Sequence, residues 1–127
     1  MLFIESIIKI EKEVYTNYFE LIQQKYRPNP YHNSNHAADV TCSAFYFIMQ
    51  SELINDFENI DNLAVLIACF GHDVAHPGLN NRFLINNREV LATTYNDVSV
   101  LKNMHSALTF TTMNDKKVNA NILENLP

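Results

Sequence analysis

The spacing of apolar residues predicts helices along nearly the whole chain. In the first segment apolar side chains recur every three or four residues, with Glu, Lys and Gln opposite; they are Ile4, Ile7, Ile8, Val14, Tyr15, Tyr18 and Ile22. This is the period of an α-helix with one buried face. The predicted leading helix covers residues 1–27 and ends before Pro28 and Pro30, because proline cannot continue a helix.

Two longer helices are predicted next. One begins at an N-cap, Asn33 or Ser34, and runs to about Met49. The other, from Asn62 to about Ala75, is apolar nearly all round, which predicts burial on most sides. Further helical segments are predicted over residues 81–86, 89–94, 98–111 and 119–126. Because no pair of segments alternates as strands do, the predicted fold class is all-α, a multi-helix bundle.

Net charge and the lengths of the apolar runs limit the possible partners and location of the chain. The 127 residues include 9 Lys and Arg against 14 Asp and Glu, a net charge of −5, which argues against a nucleic-acid polymer as partner. The longest apolar run, residues 63–70, is far shorter than the roughly 18 residues that a membrane span needs. Charges interrupt the N-terminal apolar stretch, so it does not resemble a signal peptide, and the predicted location is cytoplasmic.

Histidines carry the candidate chemistry. His32 and His36 are four residues apart, as are His72 and His76, which is the spacing of neighbours on a helix face. Asp73 lies in an apolar segment, where a carboxylate is costly unless a cation or strong donors compensate it. Such residues suit a metal site in a helical bundle, with Zn²⁺ or Fe²⁺ on imidazole and a harder ion on the carboxylate. A hydrogen-bonded cluster without metal is the alternative, and the spacing leaves both interpretations open.

Three blocks of residues follow one another in a specific order. They are Tyr31-His32-Asn33-x-x-His36-Ala37-x-Asp39-Val40, then His72-Asp73-x-x-His76-Pro77-Gly78 with Asn81, then Leu91-Ala92-x-x-Tyr95-Asn96-Asp97-x-Ser99-Val100-Leu101 followed by His105. Together they resemble the class I 3′,5′-cyclic nucleotide phosphodiesterases. The resemblance implies the helical catalytic domain of that family, of the His-Asp superfamily type. It also implies a cyclic nucleotide substrate, cyclic AMP or cyclic GMP, that is hydrolysed to the 5′-monophosphate.

The same resemblance implies roles for individual residues. His36, His72 and Asp73 would bind the tighter metal, expected to be Zn²⁺, and Asp73 would bridge to a second ion, Mg²⁺ or Mn²⁺. Two ions of this kind activate a bridging water and neutralise the phosphodiester oxygens. His32 would be the general acid for the leaving O3′, and His32 and Asp73 would also contact the substrate. Two further histidines would hold the ligands and water in place without binding the metal: His76 and His105.

Two departures from the family pattern affect what is predicted for the second metal and for the completeness of the domain. Lys102 stands where the family carries a Glu that orders water at the second metal; the lysine either opposes that cation or turns to solvent. The family's further Asp ligand and purine-binding Gln come later than residue 127. Residues 1–127 are therefore predicted to be one incomplete catalytic domain, its N-terminal portion, with the motif-bearing helices over 31–127. The missing C-terminal part of the domain is an expected partner.

Two other functions stay open at this point. Lys102 and the early end of the sequence are also compatible with an inactive phosphodiesterase-like module that binds a nucleotide or a protein. A di-iron bundle is disfavoured because no set of Glu residues at helical spacing accompanies the histidines.

Overall fold

The computed structural model describes residues 10–115, 117–124 and 126. Within these residues lie seven helices: α1 (Lys12–Lys25), α2 (Ser34–Gln50), α3 (Leu53–Asp56), α4 (Asn59–Gly71), α5 (Asn81–Asn86), α6 (Val90–Thr94) and α7 (Val100–Met113). The described part of the chain contains no strand, which confirms the predicted all-α class. The predicted helix over residues 81–86 has the bounds of α5, and the predictions for α6 and α7 are within two residues.

Helix α1 follows from the amphipathic pattern of the first segment. Its buried residues are Val14, Tyr15, Tyr18 and Ile22. The helix ends at Lys25, and Tyr26 is already extended, with ψ at 138°, two residues before Pro28. The first nine residues of the predicted leading helix lie outside the described residues, and residues 10–11 precede α1.

Helix α2 begins at the predicted cap. The Asn33 side chain accepts hydrogen bonds from the backbone N–H groups of Asn35 and His36, at 3.0 and 3.1 Å. This satisfies two donors that the first turn of a helix leaves without partners. His36 therefore lies in the first turn, whereas His32 precedes the cap and is not on the helix.

Helix α4 differs from the prediction at both ends. It starts at Asn59 rather than Asn62, because the Asp61 carboxylate accepts a hydrogen bond from the Glu58 N–H at 2.9 Å and caps an earlier turn. It ends at Gly71, and residues 72–75 form a turn that closes with Ala75 in the left-handed region, at φ 58°. The prediction that the helix reaches Ala75 was wrong.

The apolar surface of α4 is also less buried than predicted. Leu63 and Ile67 lie in the core, but Ile60 is 47% exposed, and Ala64 and Ala68 are exposed as well. Helix α4 packs against α2, α7 and α1, and its exposed residues Ile60, Ala64 and Ala68 line a cavity.

Two clusters of buried residues form the core. The larger joins α1, α4 and the segment after α7: Ile10, Val14, Tyr15, Tyr18, Ile22, Leu63, Ile67, Val74, Met113, Ala120 and Ile122. The smaller joins α5, α6 and α7: Leu84, Ala92, Val100, Leu101 and Met104. The turn after α4 contributes Val74 to the first cluster, and the Val74 carbonyl accepts a hydrogen bond from the His105 side chain of α7.

The last predicted helix, over residues 119–126, was wrong for the described residues. Residues 122–124 form turns instead. The Asn121 side chain accepts a hydrogen bond from the Leu123 N–H at 3.1 Å, and such local side-chain bonds compete with helix formation.

Among the described helices, none combines the length and apolar character that crossing a membrane requires. The predicted cytoplasmic location stays a prediction.

Candidate functional site

Three segments that are distant in sequence meet at Asp73. His36 comes from the first turn of α2, His72 from the turn after α4, and His105 from α7. The Nε2 atoms of His36 and His72 lie 3.7 and 3.2 Å from Asp73 Oδ2. The Nε2 atom of His105 lies 3.9 Å from the other oxygen, Oδ1. The predicted ligands thus face one carboxylate oxygen and His105 faces the other.

Asn29 ties the segment before α2 to the segment after α4. Its side-chain N–H₂ group donates to the His32 carbonyl at 3.1 Å and to the His76 carbonyl at 2.7 Å. A Cβ on Gly78 would lie only 3.2 Å from the Asn29 Oδ1 atom, and Gly78 has a φ of 77°, which favours glycine. The sequence analysis missed Asn29; its position between two prolines was the available signal.

The hydrogen bonds of His72 define which of its nitrogens can bind a metal. Nδ1 lies 2.7 Å from the Cys69 carbonyl oxygen, which can only accept, so Nδ1 carries the proton. Neutral His72 then has its lone pair on Nε2, and that atom faces Asp73 Oδ2 at 3.2 Å. Two acceptors at this distance require a proton or a cation between them.

The donor set suits a divalent ion. One ligand atom each from His36, His72 and Asp73 can be chosen so that all lie within 4.8 Å of one another. Two imidazole nitrogens and a carboxylate oxygen are the ligands of Zn²⁺ and Fe²⁺ sites, and an Nδ1–H bonded to a carbonyl is the usual way to orient such a histidine. The three residues therefore fit the metal that the sequence predicts.

A second group, made of His32, Asp73 and His76, is equally compact but fits a metal less well. The His76 Nδ1 atom accepts a hydrogen bond from the Gly78 N–H at 3.0 Å. Burial, and then the neighbouring His32, lower the pKa of His76, so its ring is neutral near pH 7. The proton of the neutral ring is then on Nε2, which leaves His76 no free lone pair for a ligand bond.

The rings of three histidines stack beside the carboxylate. His32 lies on His76 with ring centroids 3.9 Å apart and planes 5° apart, and His76 lies 5.5 Å from His105 at 19°. The His105 Nδ1 atom donates to the Val74 carbonyl at 2.7 Å. Burial lowers the pKa of His105, although that hydrogen bond opposes the shift. The stack holds His32 beside Asp73 without a helix to support it.

An open cavity of about 690 Å³ adjoins the cluster. Its polar end includes His72, Asp73, His76 and His105, and its apolar wall comes from α4 and α7. Ile60 and Phe110 belong to that wall and are 47% and 51% exposed. The cavity therefore joins the polar cluster to an apolar surface, an arrangement typical of small-molecule sites.

The comparison of sequences decides the family. The sequence model described as 3′5′-cyclic nucleotide phosphodiesterase matches residues 31–127. The chain belongs to this phosphodiesterase family. The resemblance seen in the three sequence blocks is thereby confirmed.

Individual phosphodiesterases are similar over most of this chain. The human high affinity cAMP-specific and IBMX-insensitive 3′,5′-cyclic phosphodiesterase 8A is 42% identical over 113 residues, which are 87% of this chain and 13% of that protein. The cGMP-specific 3′,5′-cyclic phosphodiesterase alpha of Plasmodium falciparum is 40% identical over 117 residues, 92% of this chain and 12% of that protein. The chain thus spans about an eighth of each relative.

The solved phosphodiesterase domain of the Salpingoeca rosetta rhodopsin phosphodiesterase has the same fold. Its TM-score is 0.88 at 36% identity, over 98% of this chain and 37% of that domain chain. The all-α arrangement is therefore that of a phosphodiesterase domain over the matched length.

Proposed function

We propose that this chain carries part of a metal-dependent active site that hydrolyses 3′,5′-cyclic nucleotides to 5′-monophosphates. The observation that supports it best is the convergence of His36, His72 and Asp73, with the lone pair of His72 aimed at the carboxylate. The family match and the cyclic nucleotide specificities in the names of its relatives point to the same substrate class.

In this proposal His36, His72 and Asp73 would hold the tighter ion, Zn²⁺, and Asp73 would also be a ligand of a second ion, Mg²⁺ or Mn²⁺. The bound ions would supply Lewis acidity that activates water and neutralises the phosphodiester oxygens. His36 and His72 would bind the first ion through their Nε2 atoms, which lie on the Oδ2 side of Asp73. His76 and His105 would hold the proposed ligands in place without binding the metal, since both are buried and hydrogen-bonded to backbone atoms.

We propose that His32 is the general acid. It lies next to Asp73 in a compact group of polar atoms, and its ring is held flat against His76. As the oxygen of a water molecule forms a bond to phosphorus and the bond between phosphorus and O3′ breaks, His32 donates a proton to O3′. O3′ then leaves as a neutral hydroxyl rather than as an alkoxide, and the proton that the water loses balances the one that His32 gives. His32 and Asp73 are also the residues we expect to contact the bound nucleotide.

Metal binding tests the first part of the proposal. Zn²⁺ titrated calorimetrically into the purified chain should bind with a stoichiometry of one, and His72→Ala and Asp73→Asn should weaken it. We expect at least the roughly 10- to 100-fold loss that removing an outer partner of a ligand costs. Asp39→Asn is the matched control, because Asp39 is an exposed carboxylate on α2. Equal affinity in Asp39→Asn and Asp73→Asn would contradict the assignment.

A chimera tests the reaction. Residues 31–127 would replace the aligned segment of the Salpingoeca rosetta domain, which is 36% identical to this chain. The chimera should hydrolyse cyclic AMP, cyclic GMP or both, and its His32→Ala variant should lose turnover by about 100-fold or more. Its metal content should stay unchanged, since His32 is not a proposed ligand. Full turnover in the His32→Ala chimera would overturn the role of His32.

We further propose that the 127-residue chain alone hydrolyses cyclic nucleotides poorly, and that further polypeptide completes the site. The support is that the chain aligns with 37% of the solved domain. Robust turnover of cyclic AMP or cyclic GMP by the purified chain with Mg²⁺ present would contradict this proposal.

Binding without turnover is the second candidate function, and the position of Lys102 in the cavity wall favours it. A chimera that retains cyclic nucleotide but does not hydrolyse it at any metal concentration would support this candidate over the enzyme.

A further inference from the structure

The start of α7 places a lysine in the wall of the cavity. Lys102 lines this cavity together with Asp73, Asn81 and His105. It precedes His105 by three residues on α7, so the two side chains share a helix face. The Leu101 N–H donates to the Asn81 side chain at 3.0 Å, which holds this end of α7 against the start of α5.

The two oxygens of Asp73 face different surroundings. Oδ2 faces the proposed ligands His36 and His72, whereas Oδ1 faces His105 Nε2 at 3.9 Å. Because His105 donates from Nδ1 to the Val74 carbonyl, the Nε2 atom of its neutral ring carries a lone pair. Oδ1 and Nε2 are both acceptors, so this side of the carboxylate attracts a cation or a donor group.

Lys102 is the one Lys or Arg side chain among the described residues that line the cavity. Its side chain ends in an ammonium group on a flexible stem, and the residue lines the same cavity as Asp73. A divalent ion placed on the Oδ1 side of Asp73 would experience like-charge repulsion from this ammonium group. A phosphate group in the cavity would be attracted to it instead.

We propose that Lys102 takes over the electrostatic role of the second metal ion in this chain: it weakens divalent cation binding on the Oδ1 side of Asp73 and itself binds the phosphate of the ligand. This inference rests on the proposed function, because it takes the His36, His72 and Asp73 site to hold the first ion. It revises the proposed function in one respect: the second ion that would share Asp73 binds weakly in this chain, and Lys102 supplies the positive charge at the phosphate.

The first experiment measures metal stoichiometry. Wild type, Lys102→Glu and Lys102→Gln are loaded with one equivalent of Zn²⁺, and Mn²⁺ is then titrated while free Mn²⁺ is followed by electron paramagnetic resonance. Lys102→Glu should bind an added Mn²⁺ at least about tenfold more tightly than wild type, with Lys102→Gln between them. Lys12→Glu is the matched control, since it makes the same charge change at an exposed residue that begins α1.

The second experiment uses inorganic phosphate as the probe. Zn²⁺-loaded wild type and Lys12→Glu should bind phosphate equally, whereas Lys102→Gln should bind it about three- to tenfold more weakly. Circular dichroism confirms that each variant retains its helices, and Lys102→Gln keeps the test informative if Lys102→Glu does not fold.

The outcomes separate this inference from the proposed function. If wild type binds one Zn²⁺ and then Mn²⁺ as tightly as Lys102→Glu does, the role of Lys102 is overturned while the metal site stands. Phosphate binding that is unchanged in Lys102→Gln overturns it as well. If wild type binds no Zn²⁺, the proposed metal site fails, and the inference about Lys102 fails with it.

Discussion

Gly71 lies where α4 meets α7 and leaves no room for a side chain. A Cβ built on it would overlap Thr109 Oγ1 and would lie 3.0 Å from Cγ2 and 3.2 Å from Cβ of the same residue. Thr109 is 5% exposed, and its hydroxyl donates to the Gly71 carbonyl at 3.4 Å. We therefore predict that Gly71→Ala destabilises the fold even though the position is helical.

Two opposing effects determine the magnitude. Replacing Gly by Ala inside a helix ordinarily stabilises it by about 0.5–1 kcal/mol, and the gain is at the low end because Gly71 is the last residue of α4. Forcing an extra methyl group into a packed contact costs about 1–3 kcal/mol. The added Cβ overlaps Oγ1 and is in tight contact with the other two side-chain heavy atoms of one buried threonine, so the cost is the larger effect. We expect a net loss of about 1–2 kcal/mol in the free energy of unfolding.

A double-mutant cycle measures the predicted contact. Urea unfolding of wild type, Gly71→Ala, Thr109→Ala and the double variant gives the cost of the added methyl group in each background. Thr109→Ala removes Oγ1 and Cγ2, so Gly71→Ala should cost at least about 1 kcal/mol less in that background. Identical costs in the two backgrounds would refute the contact, and a stabilised Gly71→Ala single variant would refute the predicted sign.

Three further predictions concern single side chains in the described part of the chain. Asn33→Ala should lower the free energy of unfolding by about 1 kcal/mol because α2 loses its cap, whereas Asn33→Asp keeps the acceptor and should lose less. Equal losses of unfolding free energy in the two variants, measured by urea unfolding, would contradict this. Tyr18→Phe should raise stability by about 1 kcal/mol, since the buried Tyr18 hydroxyl has no hydrogen-bond partner among the described residues; a lower urea midpoint would show the reverse. Burial raises the pKa of Tyr26 to about 12, and its hydroxyl donates to the Phe70 carbonyl at 2.7 Å. The folded state thus holds this proton more tightly than the unfolded chain, so stability should be constant below about pH 10 and fall as the pH rises towards 12. The fall should be smaller in Tyr26→Phe when urea midpoints at about pH 9 and 11 are compared, and an equal fall would argue against the shift.

Local signals in the sequence were sufficient for several elements. The two prolines end the leading helix, and the Asn33 side chain caps the start of α2. The cap of α5 is equally local, because the Asn80 side-chain oxygen accepts a hydrogen bond from the Phe83 N–H at 2.9 Å. These contacts span four residues or fewer, so composition and spacing along the chain are enough to predict them. The candidate ligands were also found from the sequence, because their identities and order match a family pattern.

Local spacing failed where distant contacts decide the backbone. The four-residue spacing of His72 and His76 predicted one helical face, but α4 ends at Gly71 and the next residues turn. His105 donates to the Val74 carbonyl, 31 residues away, and Asn29 donates to the His76 carbonyl, 47 residues away. Such bonds satisfy backbone groups that a continued helix would have paired internally, so the turn is stable only in the folded molecule.

The sequence by itself predicted the helical class and, to within two residues, the bounds of α2, α5, α6 and α7. It also supplied the histidines and the aspartate proposed for the candidate site. The tertiary structure decided which nitrogen of His72 is free, which nitrogen of His76 accepts a hydrogen bond, and which oxygen of Asp73 faces which histidine. It also placed Lys102 among the residues that line the cavity. The physical reason is that lone pairs and charges act over a few ångströms, and only folding brings residues 36, 73 and 105 within that range.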